Sequence, residues 1–221
     1  MKMAAVCVLV VLLIAGLAIV GRFSVAKAGS PKEPAVAVLV PSSGPLAEAE
    51  FWALVDHSAR LEADTDAQLA DLKLSLSRLT PDQIGQFEKI FDATMRRSYN
   101  WDLWEAAYVA NGGASDDGFE YFRCWLISKG RKVFEQVLAD PDRLADLLAP
   151  SEAGGDLEFE EFAYVARQAW AAKSGRDWNE MPVIADMIYE QQPTGRAFSE
   201  DGEELARRYP KLWKRFGGGG Q

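Results

Sequence analysis

Residues 100–130 decide the fold; they run N-W-D-L-W-E-A-A-Y-V-A-N-G-G-A-S-D-D-G-F-E-Y-F-R-C-W-L-I-S-K-G. This stretch holds three of the seven tryptophans and a glycine pair that divides two apolar segments. Trp101, Trp104 and Tyr108 have the spacing i, i+3, i+7, which places them on one stripe of a helix. The Asn-Gly-Gly at residues 111–113 predicts the end of that helix, because asparagine and glycine adopt the left-handed conformation of a C-terminal cap.

A second helix is predicted from Ser115, whose hydroxyl suits an N-cap, to Gly130, which is expected to end it. Asp116 and Asp117 follow the cap and suit the positive end of the helix dipole. The apolar side of this helix consists of three residues at helical spacing: Phe119, Phe122 and Leu126.

Asp116, Glu120 and Arg123 form a polar ridge beside that apolar stripe, and Asp117 adjoins it. One interpretation is a solvated helix face with a modest Glu120–Arg123 pair at i, i+3. A second is that the ridge lines a cleft and recognises a ligand or partner. A third treats these residues as a structural network that docks the arginines near the C-terminus.

The run G-G-A-S-D-D-G-F-E-Y-F-R-C-W-L-I-S-K-G at residues 112–130 resembles the signature of a bacterial family called domain of unknown function 4240. The resemblance extends from residues 51–52 to the R-R-Y-P-K-L-W segment at residues 207–213. It implies a compact helical domain without an established activity. Members of that family are usually cytoplasmic, and this chain differs from them by an apolar leader.

Composition limits the possible partners of the chain. A length of 221 residues with 48% hydrophobic residues suffices for one domain with a sizeable core. The formal net charge is −9, and so acidic a protein repels phosphate backbones. We therefore expect no nucleic-acid partner.

The N-terminal leader predicts membrane localisation. Residues 4–20 are an unbroken apolar run, about the minimum for one membrane-spanning helix. Positive charges at Arg22 and Lys27 favour an uncleaved single-pass anchor over an export signal, and the positive-inside rule then favours a cytoplasmic domain. The Ala-Lys-Ala at residues 26–28 leaves an alternative: cleavage near Ala28 and a secreted or periplasmic protein.

The predicted fold class is all-α, a single compact multi-helix bundle preceded by an N-terminal apolar helix and a Pro-rich linker. Residues 1–28 are interpreted as a signal anchor or signal peptide, 29–47 as a flexible linker, 48–216 as the all-α domain and 217–221 as a disordered tail. Helical periodicity predicts about seven to nine helices in the domain. Thr80-Pro81 and Asp140-Pro141 are the clearest start signals.

Few residues suit catalysis or metal binding. His57 is the only histidine and no paired cysteines occur, so neither a zinc site nor a di-iron site is expected, and no cofactor is predicted. Asp116, Asp117 and Glu120 could hold a hard cation through oxygen ligands. Cys124 could pair with His57 as nucleophile and base, but a lone cysteine among aromatic residues is more often a small buried hydrophobe.

The segment at residues 207–216 combines five positive charges with four apolar residues. It could contact an anionic membrane surface. The favoured interpretation is structural: Tyr209, Leu212 and Trp213 fill the core, while Arg207 or Arg208 meets an acidic ridge.

Taken together, these patterns favour a non-catalytic interaction or scaffold module that is held near a membrane and binds an unknown protein partner. Its predicted contact residues are Asp116, Asp117, Glu120 and Arg123. The alternative is a cation-dependent hydrolase that uses the acidic cluster of Asp116, Asp117 and Glu120. No catalytic residue and no metal ligand are assigned.

Overall fold

Helices account for the regular structure in residues 44–149, 156–183 and 192–217, which are the residues that the computed structural model describes. All of them lie in one compact unit, Val38–Gln221. The α-helices in these ranges are α1 Glu48–Ser58, α2 Thr65–Leu76, α3 Pro81–Arg97, α4 Trp101–Asn111, α5 Asp116–Ser128, α6 Arg131–Ala139, α7 Leu144–Leu147, α8 Val165–Ser174, α9 Gly202–Arg208 and α10 Pro210–Phe216.

Short 3-10 turns at Ala59–Leu61, Pro141–Arg143, Glu160–Tyr164 and Trp178–Glu180 connect some of these helices. Within the described ranges the chain forms no strand, and an isolated bridge joins Asn100 to Thr194. The predicted all-α class is therefore confirmed. The predicted apolar helix and most of the Pro-rich linker lie outside the described residues, and no helix inside them is long and apolar enough to cross a membrane.

Local capping signals correctly predicted several helix ends. The Thr80 hydroxyl accepts a hydrogen bond from the backbone N–H of Gln83 at 3.2 Å, and Oε1 of the Gln83 side chain accepts one from the backbone N–H of Thr80 at 3.0 Å. The Ser115 hydroxyl accepts from the N–H of Gly118 at 3.1 Å. Gly112 ends α4 with φ 71°, in the left-handed region.

Helix α5 ends at Gly130 as predicted, and the same glycine begins the next helix. The helix stops at Ser128 with Lys129 as its C-cap, and Gly130 follows directly and precedes α6 with φ 91°. A Cβ at this position would lie 2.5 Å from Oδ1 of Asp56. That oxygen accepts a hydrogen bond from the N–H of Arg131 at 2.7 Å, so the glycine allows α1 to cap α6.

Two boundaries differ from those that the sequence pattern predicts. Helical spacing of apolar residues predicts a helix from Phe159, but the helix begins only at Val165, after the 3-10 turn. Ser199 is the predicted start of a helix through Arg208, but that helix begins at Gly202. The cause at the second position is Asp201, whose carboxylate accepts from the N–H of Glu204 at 2.9 Å and forms the N-cap.

Helix α5 lies in the core, as its aromatic content predicts. Its apolar stripe of Phe119, Phe122 and Leu126 is fully buried. The helix packs against α1, α3, α4, α6 and the turn at Glu160–Tyr164. Phe119 stacks on Trp104 of α4 with ring centroids 4.6 Å apart, which fixes the angle between the two central helices.

The basic C-terminal segment is part of the fold. Tyr209 and Leu212 are buried, and Arg208 forms ion pairs with Asp102 and Glu105 of α4. The structural interpretation is therefore confirmed for Tyr209 and Leu212, whereas Trp213 is half-buried and packs against the core. The third interpretation of the polar ridge is wrong, because Arg208 docks on acids of α4 and not on Asp116 or Glu120.

Candidate functional site

A pocket of about 410 Å³ lies between α3, α5 and the start of α8, and we call it the α3–α5 pocket. This volume is in the range of small-molecule and peptide side-chain sites. The residues that line it come from four elements: Glu88, Phe91, Asp92, Met95, Arg96 and Tyr99 in and just after α3, Trp104 of α4, Asp116, Asp117, Glu120 and Arg123 of α5, and Ala163, Tyr164 and Arg167 around the start of α8.

The geometry of α3 gives the pocket its length. The lining residues from Glu88 to Tyr99 recur every three or four positions, so they follow one face of the helix and the turn after it. Eleven steps along a helix at 1.5 Å each amount to roughly 16 Å. The pocket is thus elongated along α3, and the first two turns of α5 form the opposite wall.

All four predicted contact residues line this one pocket, but their environments differ. Asp116, Asp117 and Glu120 are exposed, and we call them the rim acids. Arg123 is buried at 9% exposure. The solvated-face interpretation is therefore correct for the two acids of the polar ridge and wrong for its arginine.

Arg123 is held between two aromatic rings. Its guanidinium carbon lies 4.8 Å from the ring centroid of Tyr99 and 4.9 Å from that of Phe119. Nη1 donates a hydrogen bond to the carbonyl of Met95 at 2.9 Å. Burial lowers the pKa of Arg123, and the negative charge of Glu120 opposes that shift. The guanidinium therefore ties α5 to the end of α3 at the pocket wall.

Glu88 is the residue of the pocket that sequence analysis missed. Its side chain is 1% exposed, and its Oε1 accepts a hydrogen bond from Nε of Arg167 at 2.6 Å. Its Oε2 has no hydrogen-bond partner among the described residues. Burial raises the pKa of Glu88, and the positive charge of Arg167 opposes that shift.

A sequence signal for Glu88 did exist. It lies four residues after Ile84 and three before Phe91, a spacing that places it on the same helix face as these two apolar residues. A carboxylate on a buried helix face needs a partner, because an unpaired buried charge is costly. The sequence therefore indicates a buried acid at Glu88, although it does not show that Arg167 pairs with it.

Cys124 and His57, the less favoured nucleophile and base, do not pair. Cys124 is fully buried, with its Sγ 4.0 Å from Sδ of Met95, and burial raises its pKa. The His57 ring lies beside Arg60 and 3.5 Å from Oδ2 of Asp71. The interpretation of Cys124 as a small buried hydrophobe is confirmed.

We expect Cys124 to resist thiol reagents while the chain is folded, because only the exposed thiolate reacts and this thiol is buried with a raised pKa. The measurement is the rate of reaction with an aromatic disulfide reagent at pH 8, using full-length chain in which Cys7 is replaced by serine. Reaction is expected to follow the unfolding transition in denaturant. Rapid stoichiometric labelling in buffer would contradict the buried environment.

The acids of the pocket do not form a preassembled metal site. Within the described ranges, no three His, Cys, Asp or Glu side chains come close enough together to hold a metal ion. The rim acids are exposed at the start of α5, where their charges favour the positive end of the helix dipole. Their arrangement suits recognition of positive charge more directly than metal chelation.

Comparison with known proteins places the chain in a family. The model of the family described as "Protein of unknown function (DUF4240)" matches residues 46–172, more than half of the 221 residues. The chain belongs to the DUF4240 family. No curated protein and no solved structure matches it.

Every residue that lines the α3–α5 pocket lies inside the DUF4240 region. The segment at residues 207–213, to which the sequence resemblance extends, lies beyond the matched range. The pocket is therefore a feature of the DUF4240 domain itself, whereas the helices that carry Arg208 and Tyr209 follow it in the chain.

Proposed function

We propose that this chain is a non-catalytic interaction module that binds a protein partner at the α3–α5 pocket. The observation that carries the proposal is the position of the rim acids: three exposed carboxylates without an ion pair among the described residues border a pocket of about 410 Å³. Exposed like charges at one site repel each other, so a positively charged partner relieves that repulsion on binding.

The walls of the pocket support binding because they are already ordered. Arg123 is fixed by Tyr99, Phe119 and the carbonyl of Met95. Trp104 donates a hydrogen bond from its indole N–H to the carbonyl of Ala114 at 3.0 Å, which fixes the residues just before the rim. A preformed wall reduces the entropy that binding would otherwise cost.

The alternative, a cation-dependent hydrolase, has one observation in its favour: the three rim acids and Arg123 line the same pocket. Against it, the described residues contain no group of three potential metal ligands. Exposed carboxylates also lack the burial that tunes a general acid or base. Interaction is therefore the better-supported function.

We also propose that the apolar run at residues 4–20 holds the domain at a membrane, with the domain on the cytoplasmic side. Membrane fractionation followed by N-terminal sequencing of the mature chain tests this. A start at Met1 in the membrane fraction supports the anchor. A start near Gly29 in a soluble fraction would replace it with a cleaved export signal.

The rim acids can be tested with a charge-matched pair of double variants. We expect Asp116→Asn with Glu120→Gln to reduce recovery of the partner about tenfold in a quantitative cross-linked pull-down from native membranes, because two lost ionic contacts are worth up to about 1 kcal/mol each. The control is Asp82→Asn with Glu203→Gln, two exposed acids in the first turns of α3 and α9.

The control pair changes the net charge equally but lies outside the pocket. Partner recovery should stay at the wild-type level in the control pair, and both double variants should keep the melting temperature of the wild type. Equal losses in both double variants would mean that total charge, and not the pocket, governs binding. No loss in either double variant would show that the rim acids do not contribute to binding of the partner.

A further inference from the structure

We propose that the partner inserts a positively charged side chain, lysine or arginine, into the α3–α5 pocket and that Glu88 is the carboxylate that receives it. This inference rests on the proposed function, because it specifies the chemistry of the partner segment at the same pocket. Two features of the pocket carry it: its excess of carboxylates over arginines that are themselves held by internal contacts, and the unpartnered oxygen of Glu88.

The first feature is charge. Five carboxylates and three guanidinium groups line the pocket, so acids exceed bases by two. Arg96 is paired with Asp92, and Arg167 is paired with Glu88. Arg123 is held by two rings and a backbone carbonyl. The bases of the pocket are thus held by internal contacts, and within the described residues no ion pair joins any of them to a rim acid.

The second feature is the geometry at Glu88. One carboxylate oxygen is occupied by Nε of Arg167, while the other is buried without a hydrogen-bond partner among the described residues. A buried acceptor that lacks a donor is unfavourable, and an ionised one especially so. An N–H donor from an incoming cation would give the second oxygen a hydrogen bond and offset the unfavourable burial of the negative charge.

The arrangement also accounts for access. Arg167 is 28% exposed and lies at the start of α8, so it can move outward while Glu88 stays fixed in α3. An entering cation would then share the carboxylate with Arg167. Burial raises the pKa of Glu88 in the free protein, and a second positive charge beside it would stabilise its ionised form.

The length of the pocket favours a peptide over a small free cation. An extended peptide advances about 3.3 Å per residue, so the roughly 16 Å along α3 accommodates about five residues. One basic side chain can reach Glu88 while a second lies against the rim acids. A basic pentapeptide therefore matches the pocket in both length and charge.

The test uses fluorescein-labelled Gly-Arg-Gly-Arg-Gly and its citrulline counterpart, with fluorescence anisotropy measured on the full-length chain in mild detergent. Citrulline keeps the shape of arginine and removes the charge. We expect the arginine peptide to bind at least about tenfold more tightly than the citrulline peptide. We also expect the Glu88→Gln variant to lose at least about tenfold in affinity for the arginine peptide, while Asp82→Asn binds as wild type does.

Glu88→Gln is a suitable variant because it keeps the shape of the side chain and an acceptor for Arg167. A carboxyl group with a raised pKa stabilises the fold below its ordinary pKa and loses that contribution as the pH rises through its value in the folded state. Removing this charge at pH 7 should therefore leave the chain folded. Circular dichroism on the same samples verifies this, and Asp116→Asn provides a second variant that is exposed and cannot disturb the core.

Three results would overturn the inference. Equal binding of the arginine and citrulline peptides excludes a charged ligand. Wild-type affinity in folded Glu88→Gln excludes Glu88 as the receiving group. Displacement of the labelled peptide by spermidine at lower concentration than by the unlabelled peptide would assign the pocket to a free polyamine. If the partner pull-down still depends on the rim acids in any of these cases, the proposed function stands and only this inference fails.

Discussion

Replacing Glu105 by alanine is expected to lower the free energy of unfolding by about 3–5 kcal/mol, the usual loss when one member of a buried ion pair is removed. Glu105 is fully buried in α4 and forms an ion pair with Arg208. Its two oxygens also accept hydrogen bonds from the N–H of Ser199 at 2.9 Å and the hydroxyl of Tyr209 at 2.8 Å. The substitution removes all three contacts and leaves Arg208 with less charge compensation.

The measurement is urea unfolding of the full-length chain, monitored by tryptophan fluorescence. Glu105→Gln keeps the volume and an acceptor oxygen, so its loss should be smaller than that of Glu105→Ala. Arg208→Ala should also be strongly destabilising, because it leaves the carboxylate of Glu105 buried without its cation. The double variant should lose clearly less than the sum of the two single losses. Strict additivity would show that the pair is not coupled.

Glu105 also illustrates what the sequence could not predict. It lies between Trp104 and Ala106 in a helix whose neighbouring residues are all buried, so no polar face marks it. Its partners Ser199 and Tyr209 are 94 and 104 residues away along the chain. The basic C-terminal segment correctly predicts that an arginine meets an acid, but which acid it meets, here on α4, depends on how the last two helices pack.

Helix ends were predictable because capping is local. The hydroxyls of Thr80 and Ser115 each bind an N–H three residues ahead, so the signal and its effect lie within one turn. Gly130 shows what such rules leave out. Glycine after an apolar helix predicts the end of that helix, and α5 does end just before it, but the rule does not show that Asp56, from a distant helix, lies against this glycine.

Only one wall of the candidate site could be predicted from the sequence, because only that wall is formed by residues close together in the chain. The rim acids and Arg123 follow one another on α5, so helical spacing alone groups them. The opposite wall, with Glu88 and Arg167, comes from α3 and α8, whose packing against each other brings two sequence-distant charges together. Burial then separates their roles: Arg123 becomes part of the core, and the acids remain at the surface.

The contrast between Arg123 and the rim acids leads to a second large effect. Arg123→Ala is expected to destabilise the chain by about 3 kcal/mol. A hydrogen bond from a charged donor contributes about 1.5–3 kcal/mol, and cation–π contacts with Tyr99 and Phe119 add roughly 0.5–2 kcal/mol. The alanine also leaves a void between the two rings and removes the donor to the carbonyl of Met95.

Lysine and methionine at position 123 separate these contributions. Arg123→Lys keeps the charge but loses the planar guanidinium that lies over both rings, so an intermediate loss is expected. Arg123→Met fills much of the void without charge or donor, so its loss relative to lysine reports the combined contribution of the positive charge and its donor. Glu120→Gln should change stability by less than about 0.5 kcal/mol, because its side chain is exposed.

The stability and the binding of this wall should therefore respond together. Arg123 connects α5 to the end of α3, so its removal is expected to lower both the affinity for the arginine peptide and the stability of the fold. Glu120→Gln should lower only the affinity for the peptide. Urea unfolding and peptide anisotropy on the same preparations measure both quantities. A loss below about 1 kcal/mol for Arg123→Ala would mean that the ring contacts and the Met95 hydrogen bond add little to the fold.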